Sequence, residues 1–301
     1  MKKIPMILAL ILMLIGSGAI AEQRNLVVAT NFVCYDFARQ VAGEEAKVWM
    51  LIRPGTEVHS YEPRPADILT IGQADLFVCI GGESDAWVDG ILESFGSSAP
   101  KTLRLMESVT PLEEAHEADG HDHDELEWDE HIWTSPKNAI AMVRQVEAGL
   151  CEALPESADA FHANADAYVA QIEQIDADLT QIVANGARRE LVFADRFPFL
   201  YLVHDYGLTY HAAFSSCTAE TEPSAQTLVE LIGIIQQDQI PVVYTIEMST
   251  GTIARTLAEE TGVEILTLHS AQTVTQAEFD AGETYVSLMR ANLKAIEKGL
   301  N

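Results

Sequence analysis

Midway through its first half the chain reads Leu76-Phe77-Val78-Cys79-Ile80-Gly81-Gly82. Five consecutive apolar residues followed by two glycines are typical of a strand that is buried on both faces and ends in a turn. Similar short apolar runs precede this stretch and recur in the second half of the chain, at 26–30, 48–52, 191–194, 241–245 and 263–267. Helical patterns separate them, which predicts an α/β fold with two lobes, each a parallel-type sheet flanked by helices.

A long helical region lies between the two halves. Ser135-Pro136 opens it, Pro155 should interrupt it, and apolar residues recur at helical spacing from 156 to about 184. Some 28 residues would span about 40 Å, roughly the size of a domain. Such a helix packs within one domain or serves as a rigid strut between lobes, and we favour the strut. We therefore divide the mature chain into an N-terminal lobe, an interlobe helix and a C-terminal lobe, at 22–155, 156–186 and 187–301.

The N-terminus has the pattern of a secretory signal peptide. Lys2 and Lys3 precede an apolar run over 4–15, and Ala19-Ile20-Ala21 fits a signal-peptidase site. We expect residues 1–21 to be removed and the mature protein to be exported without membrane insertion. An uncleaved membrane anchor is the alternative, although the apolar run is short for a span. No cysteine follows the run to carry a lipid.

The charge balance favours cations as partners. Asp and Glu number 46 against 18 Lys and Arg, which gives a net charge of −28 at pH 7. A field of this sign repels nucleic acid and disfavours docking on anionic lipid. The four cysteines are scattered without a CxxC pair, so they do not favour a thiolate metal site and leave disulfide pairing open; they are Cys34, Cys79, Cys151 and Cys217.

Two histidines are the first candidate metal ligands. His59 follows a predicted strand and precedes a predicted helix, and ligands of open α/β sheets collect at such strand ends. His131 lies between Trp128 and Trp133, just before the long helical region. Partial desolvation by these indoles would keep its imidazole neutral, which is the form that binds metal. A solvated loop histidine and a helix-capping histidine are the plain alternatives for these two residues.

Further histidines lie in a loop and after the last strand. The acidic stretch 112–130 contains His116, His121 and His123, which together with their carboxylate neighbours suit an auxiliary cation-binding loop or simply a solvated loop. His269 follows the predicted strand 263–267 at the same kind of strand end as His59. A site that takes His59 and His131 from one lobe and His269 from the other would be closed by lobe movement.

Two motifs resemble a known family. His59-Ser60-Tyr61-Glu62-Pro63 resembles H-x-[YF]-[ED]-P, and the segment from Asp129 to Pro136 resembles D-x-H-x-W-x-[SD]-P, with a His/Asp-rich loop just upstream. In this order, and followed by the long helix, they resemble the zinc branch of the zinc/manganese solute-binding proteins of ABC importers. That family holds its metal between two α/β lobes joined by a rigid helix.

The resemblance implies a ligand set with one departure. His59 and His131 match the two ligands of the N-terminal lobe, and His269 matches the last ligand of the C-terminal lobe. The remaining family ligand falls on Ala194, which has no donor. Asp195 is the nearest side chain able to substitute, and water or His123 are alternatives. Three imidazoles and a carboxylate favour Zn²⁺, with Mn²⁺ second because Mn²⁺ prefers more oxygen ligands.

The resemblance implies an exported zinc receptor, not an enzyme, that delivers Zn²⁺ to an ABC permease and its ATPase; we expect it to be a monomer. A secreted zinc-dependent hydrolase is one alternative, because the vacancy at Ala194 would leave a metal position open. The hydrolase alternative has no motif to support it, because the sequence contains no HExxH, P-loop, GxSxG or GxGxxG pattern. A metal-binding surface adhesin is another alternative, and an ABC permease encoded beside the protein would argue against it.

Overall fold

The computed structural model describes residues 25–114, 128–214 and 223–301. The predicted signal peptide, Cys217 and the loop histidines His116, His121 and His123 lie outside these ranges. Among the described helices, none combines the length and the apolar composition that a membrane crossing requires. The division into lobes at 22–155, 156–186 and 187–301 remains our proposal.

The first sheet is parallel throughout, as predicted. Its spatial order is β2-β1-β3-β4, and the strands are β1 (Leu26–Ala29), β2 (Lys47–Met50), β3 (Leu76–Cys79) and β4 (Lys101–Arg104). Strand β3 is buried at every position because helices cover both faces of the sheet. Strand β4 was not predicted: it is a half-buried edge strand whose Lys-Thr-Leu-Arg sequence has no apolar run.

The second sheet repeats this arrangement. Its order is β6-β5-β7-β8, again with only parallel pairs, and the strands are β5 (Glu190–Phe193), β6 (Thr209–Ala212), β7 (Val242–Thr245) and β8 (Glu264–Thr267). In both sheets the chain passes from the first strand to one neighbour and then crosses to the other. Such a switch point leaves a crevice at the carboxyl ends of the strands, where open α/β sheets bind ligands. The α/β prediction with two parallel sheets flanked by helices is confirmed.

Ten α-helices are described. They are α1 (Phe32–Ala42), α2 (Pro65–Ile71), α3 (Trp87–Phe95), α4 (Pro136–Ala153), α5 (Ala158–Asn185), α6 (Leu200–Tyr206), α7 (Ala225–Gln237), α8 (Thr252–Thr261), α9 (Gln276–Ala281) and α10 (Tyr285–Leu300). The predicted interruption of the long helical region is found at a short 3₁₀ turn over 155–157. Helix α5 has 28 residues, which corresponds to about 42 Å at 1.5 Å per residue.

The hydrophobic core is continuous across both halves. Alternate residues of β1 point to opposite faces of the sheet, so that Val27 joins the large central core and Val28 joins a smaller cluster under α2 and α3. The central core also contains Phe161 of α5, Phe193 of β5 and Ile296 of α10. The long helix α5 packs against α1, α4 and α10. It is therefore part of the core that joins the two sheets.

A buried carboxylate reinforces this junction. Asp36 on α1 is fully buried, and it accepts hydrogen bonds from the Tyr168 hydroxyl on α5 at 2.5 Å and from the Tyr285 backbone N–H of α10 at 2.8 Å. The Arg39 guanidinium completes its shell at 2.8 Å. One side chain thereby ties the first helix of the chain to both the long and the last helix.

Candidate metal centre

His59 lies in the loop 51–64 that joins β2 to α2. The loop is anchored locally, because Glu57 Oε1 accepts the His59 backbone N–H at 3.2 Å. Nδ1 of His59 lies 3.2 Å from Glu130 Oε1, and Nε2 lies 3.1 Å from the Gln272 side-chain amide nitrogen. An ionised carboxylate only accepts, and an amide nitrogen only donates. These two contacts favour the tautomer with the proton on Nδ1 and the lone pair on Nε2.

His131 has a matching arrangement in a more buried position. It is 4% exposed and directly precedes the 3₁₀ turn 132–134 that leads into α4. Asp129 Oδ1 accepts the His131 backbone N–H at 2.7 Å and lies 3.2 Å from Nδ1 of the ring. Because the carboxylate accepts the Nδ1 proton, Nε2 is again the nitrogen that can bind metal.

The structure brings these two histidines and one glutamate together. Ligand atoms of His59, Glu130 and His131 all lie within 4.8 Å of one another. Across 25–114, 128–214 and 223–301 this is the only group of three or more His, Cys, Asp or Glu side chains with that geometry. The two imidazole ring centroids are 5.4 Å apart.

Glu130 belongs to this group of side chains although the sequence motifs did not predict it. Its Oε2 accepts the Ser84 backbone N–H at 2.9 Å, and a Cβ at Gly82 would lie only 2.4 Å from the glutamate side chain, so the neighbouring turn requires glycine. Burial raises the pKa of Glu130, but hydrogen bonds and the charges of His59 and His131 outweigh it and lower that pKa to about 2. Its position inside the D-x-H motif made it look like a spacer residue.

His269 is placed differently from the prediction. It follows β8 and is 7% exposed, but it does not belong to the three-residue group. Its Nδ1 accepts the Ala271 backbone N–H at 2.9 Å, so Nε2 carries the proton and faces Glu278 Oε1 at 3.8 Å. Burial lowers the pKa of His269, and the carboxylates of Glu247 and Glu278 more than reverse this and raise it. Gln272 of the same loop reaches His59 instead.

Asp195 is also outside the group. Its Oδ1 accepts the Arg196 backbone N–H at 2.9 Å, and its Oδ2 is buried without a hydrogen-bond partner. Ala194 is buried in the small core beside β5 and offers no donor. Together with Glu57 and Glu247, these residues line a cavity of about 320 Å³ between the two halves. Arg196 Nη1 lies 3.2 Å from Glu57 Oε2, which links the His59 loop to the loop after β5.

Contacts from the second half hold the His131 segment in place. The Tyr201 hydroxyl on α6 donates to the Asp129 carbonyl at 2.7 Å and accepts the Leu112 N–H at 3.0 Å. The Trp133 indole N–H donates to the Ser270 carbonyl at 2.7 Å. The fragment from 129 to 133 is therefore fixed between the two halves, which orients the His131 imidazole before any ligand arrives.

Chemically, the cluster suits a borderline divalent cation. Two imidazoles, each with Nδ1 3.2 Å from a buried carboxylate, place ligand atoms within 4.8 Å of each other and of Glu130. Metal-binding histidines are typically oriented in this way by a carboxylate on the second nitrogen. Imidazole nitrogens with carboxylate support favour Zn²⁺ over Mg²⁺ or Ca²⁺, which prefer all-oxygen sites.

Comparison with known proteins places these features in a family. Residues 27–299 match the family model described as zinc-uptake complex component A, periplasmic. The zinc-binding lipoprotein AdcA of Streptococcus pneumoniae (strain ATCC BAA-255 / R6) is 33% identical over 307 residues, covering 99% of this chain and 61% of AdcA. The high-affinity zinc uptake system protein ZnuA of Bacillus subtilis (strain 168) is 29% identical over 293 residues, covering 95% of this chain and 90% of that protein.

A solved structure shows the same architecture. The Zn(II)-bound ZnuA-like domain of Streptococcus pneumoniae AdcA superimposes with a TM-score of 0.77 and 31% identity, covering 91% of this chain and 98% of that domain. The chain spans about three fifths of the full length of AdcA. The match over nearly the whole chain, together with the paired histidines at the edge of the first sheet, shows that the chain belongs to the zinc-uptake complex component A (ZnuA) family.

Proposed function

We propose that the protein is an exported receptor that captures Zn²⁺ between its two halves and delivers it to an ABC permease and its ATPase. The observation that carries this proposal is the cluster of His59, Glu130 and His131, whose ligand atoms lie within 4.8 Å of one another and in which each imidazole has a buried carboxylate beside Nδ1. In this proposal the protein binds metal and does not catalyse a reaction, and Mn²⁺ is the alternative transported ion. The protein acts as a monomer.

The proposed ligands come from both halves. His59 and His131 bind through Nε2, and Glu130 orients His59 while its charge attracts the cation. The second half contributes His269 and Asp195. Asp195 Oδ2 is buried without a hydrogen-bond partner, and a cation would satisfy it. His269 must release its Nε2 proton and leave Glu278, and the Gln272 amide must leave His59 Nε2, before a metal ion binds there.

Calorimetric titration of the mature protein with Zn²⁺ tests the capture step. We expect one high-affinity site, with Mn²⁺ binding more weakly in the same experiment. The delivery step is tested by searching the neighbouring genes for an ABC permease, reconstituting it with its ATPase, and measuring ATP hydrolysis with apo and Zn²⁺-loaded receptor. Stimulation by the loaded form is expected. Absence of any neighbouring permease, together with unaltered zinc uptake in a deletion strain, would contradict delivery.

Glu130→Gln should weaken Zn²⁺ binding by about ten- to a hundredfold, the usual effect of losing a partner of a metal-binding histidine. The amide keeps the shape of the side chain, but its single oxygen can replace only one of the two carboxylate acceptors, so the variant removes the charge and one of the contacts to the Ser84 N–H and His59 Nδ1. Competition with a chromophoric chelator measures the change. Glu173→Ala, on the exposed face of α5, is the matched control and should leave the affinity unchanged. Unaltered affinity in Glu130→Gln would show that the buried charge is not used.

Zinc affinity should fall on acidification. A protonated imidazole cannot bind metal, so each ligand histidine lowers the zinc affinity by up to about tenfold per pH unit once the pH falls below its own pKa. The carboxylates of Glu247 and Glu278 raise the pKa of His269, so its contribution to the loss begins above the ordinary value of about 6.5. Glu130 does not titrate in this range because its pKa is about 2. Chelator competition at pH 7.5, 6.5 and 5.5 measures the slope. A flat profile across these conditions would argue against imidazole ligands.

A further inference from the structure

A second group of metal-binding side chains lies on the helical hairpin formed by α4 and α5. Cys151, in the last turn of α4, faces His162 of α5, with Sγ and Nε2 separated by 3.9 Å. The two residues are brought together by the 3₁₀ turn over 155–157 between the helices. Cys151 is partly buried, and the His162 side chain is 59% exposed, so the pair is open to solvent. Neither residue belongs to the cluster of His59, Glu130 and His131.

The His162 ring is oriented by a carboxylate. Nδ1 of His162 lies 2.5 Å from Glu147 Oε1, and the guanidinium of Arg144 holds Glu147 Oε2 at 2.8 Å. Because Glu147 accepts the Nδ1 proton, the lone pair of Nε2 is directed toward the sulfur of Cys151. This is the same carboxylate–imidazole arrangement that orients histidine ligands in metal sites.

The spacing fits a bridging metal ion. With Zn–S of about 2.3 Å, Zn–N of about 2.0–2.1 Å and a tetrahedral angle, sulfur and nitrogen of one coordination shell lie about 3.6 Å apart. The observed 3.9 Å requires only a small adjustment of an exposed side chain. We propose that Cys151 and His162 form a second, surface site for a thiophilic divalent cation such as Zn²⁺ or Cd²⁺, with Glu147 as the orienting residue and water as the remaining ligands.

The charge state of the Cys151 thiol argues against nucleophilic chemistry and makes metal binding compete with a proton. Desolvation and the nearby charge of Glu147 raise the pKa of Cys151, so the free thiol is protonated at neutral pH. A metal ion displaces this proton, which passes to solvent as the metal–sulfur bond forms. With two protein ligands, the site should bind more weakly than the centre between the two halves.

Cd²⁺ is the probe for the test, because it binds thiolates and protects them from alkylation. The folded, mature protein is treated with iodoacetamide with and without Cd²⁺, and modification of Cys151 is followed by peptide mass spectrometry. Cd²⁺ should slow alkylation of Cys151 at least tenfold. Cys34 and Cys79 are fully buried and should stay unmodified in both samples.

Variants separate the proposed site from other thiols and from the main centre. His162→Ala retains every cysteine and should abolish the protection of Cys151 by Cd²⁺. Glu147→Gln should shift the protection curve to about ten- to a hundredfold higher Cd²⁺. His204→Ala, an exposed histidine on α6, should behave as wild type. His131→Ala, which alters the main centre, should also retain the protection of Cys151 by Cd²⁺. The surface site is therefore tested independently of the zinc-receptor proposal. Full protection of Cys151 in His162→Ala, or none in the wild type, would overturn the inference.

Discussion

His131→Ala should lower the affinity for Zn²⁺ by about a hundred- to a thousandfold. A structural zinc site of about four ligands contributes about 10–16 kcal/mol in apparent binding free energy, so one ligand accounts for about 2.5–4 kcal/mol. Each 1.4 kcal/mol corresponds to about tenfold in affinity. His131 is the more buried of the two paired imidazoles, at 4% exposure, and its segment is fixed on both sides. Water cannot take over its geometry without disturbing that packing.

Calorimetry or chelator competition measures this loss, and circular dichroism verifies that the variant is folded. The matched control is His204→Ala, which removes a histidine that is 61% exposed on α6 and should leave zinc binding unchanged. An affinity within about threefold of wild type for His131→Ala would refute the assignment of the centre. Equal losses in both variants would instead indicate a general effect of removing histidines, and would equally contradict the proposed site.

Asp36→Ala should destabilise the protein by about 3–5 kcal/mol, because the buried carboxylate accepts two hydrogen bonds and each hydrogen bond to a charged group contributes about 1.5–3 kcal/mol. The substitution leaves the Tyr168 hydroxyl and the Tyr285 backbone N–H without their acceptor in the middle of the core. It also removes the polar contacts that connect α1 to α5 and α10. Guanidinium denaturation of the metal-free protein measures the free energy of unfolding.

A graded series tests whether the acceptor role of Asp36 is responsible. Tyr168→Phe removes one of its hydrogen bonds and should cost about 1–2 kcal/mol. Glu173→Ala, which removes a carboxylate on the exposed face of the same helix, should change stability by less than about 0.5 kcal/mol. A loss below about 1 kcal/mol in Asp36→Ala would mean that the junction between the halves depends on apolar packing alone.

The sheets were largely predictable because buried parallel strands have a local signature. Continuous apolar runs identified β1, β3, β5 and β7, and the run before the His59 loop identified β2 to within one or two residues. The edge strand β4 was not predicted because its Lys-Thr-Leu-Arg sequence is half-buried and has no apolar run. Its position as a strand depends on pairing with β3. The 28-residue helix α5 was equally predictable, because its apolar residues recur at helical spacing.

The candidate centre was predictable only in part. His59 and His131 occur in short sequence motifs. Their positions next to predicted strands and helices could be identified from the sequence alone. Glu130 was not recognised, because its role depends on a loop 71 positions earlier in the chain folding against it at 3.2 Å. The partners of His269 are likewise contributed by separate segments, with Glu247 after β7 and Glu278 on α9.

By itself, the sequence determined the secondary-structure plan, the acidic charge that favours cations, and the two histidines that mark the centre. Periodicity, charge and short motifs are properties of neighbouring residues, and they can be identified without knowing how the chain folds. Only the tertiary structure decided which nitrogen of each imidazole faces a carboxylate, that Gln272 rather than His269 reaches His59, and that Cys151 faces His162. Those facts are distances between residues far apart in the chain or on separate elements, and packing of the core sets them.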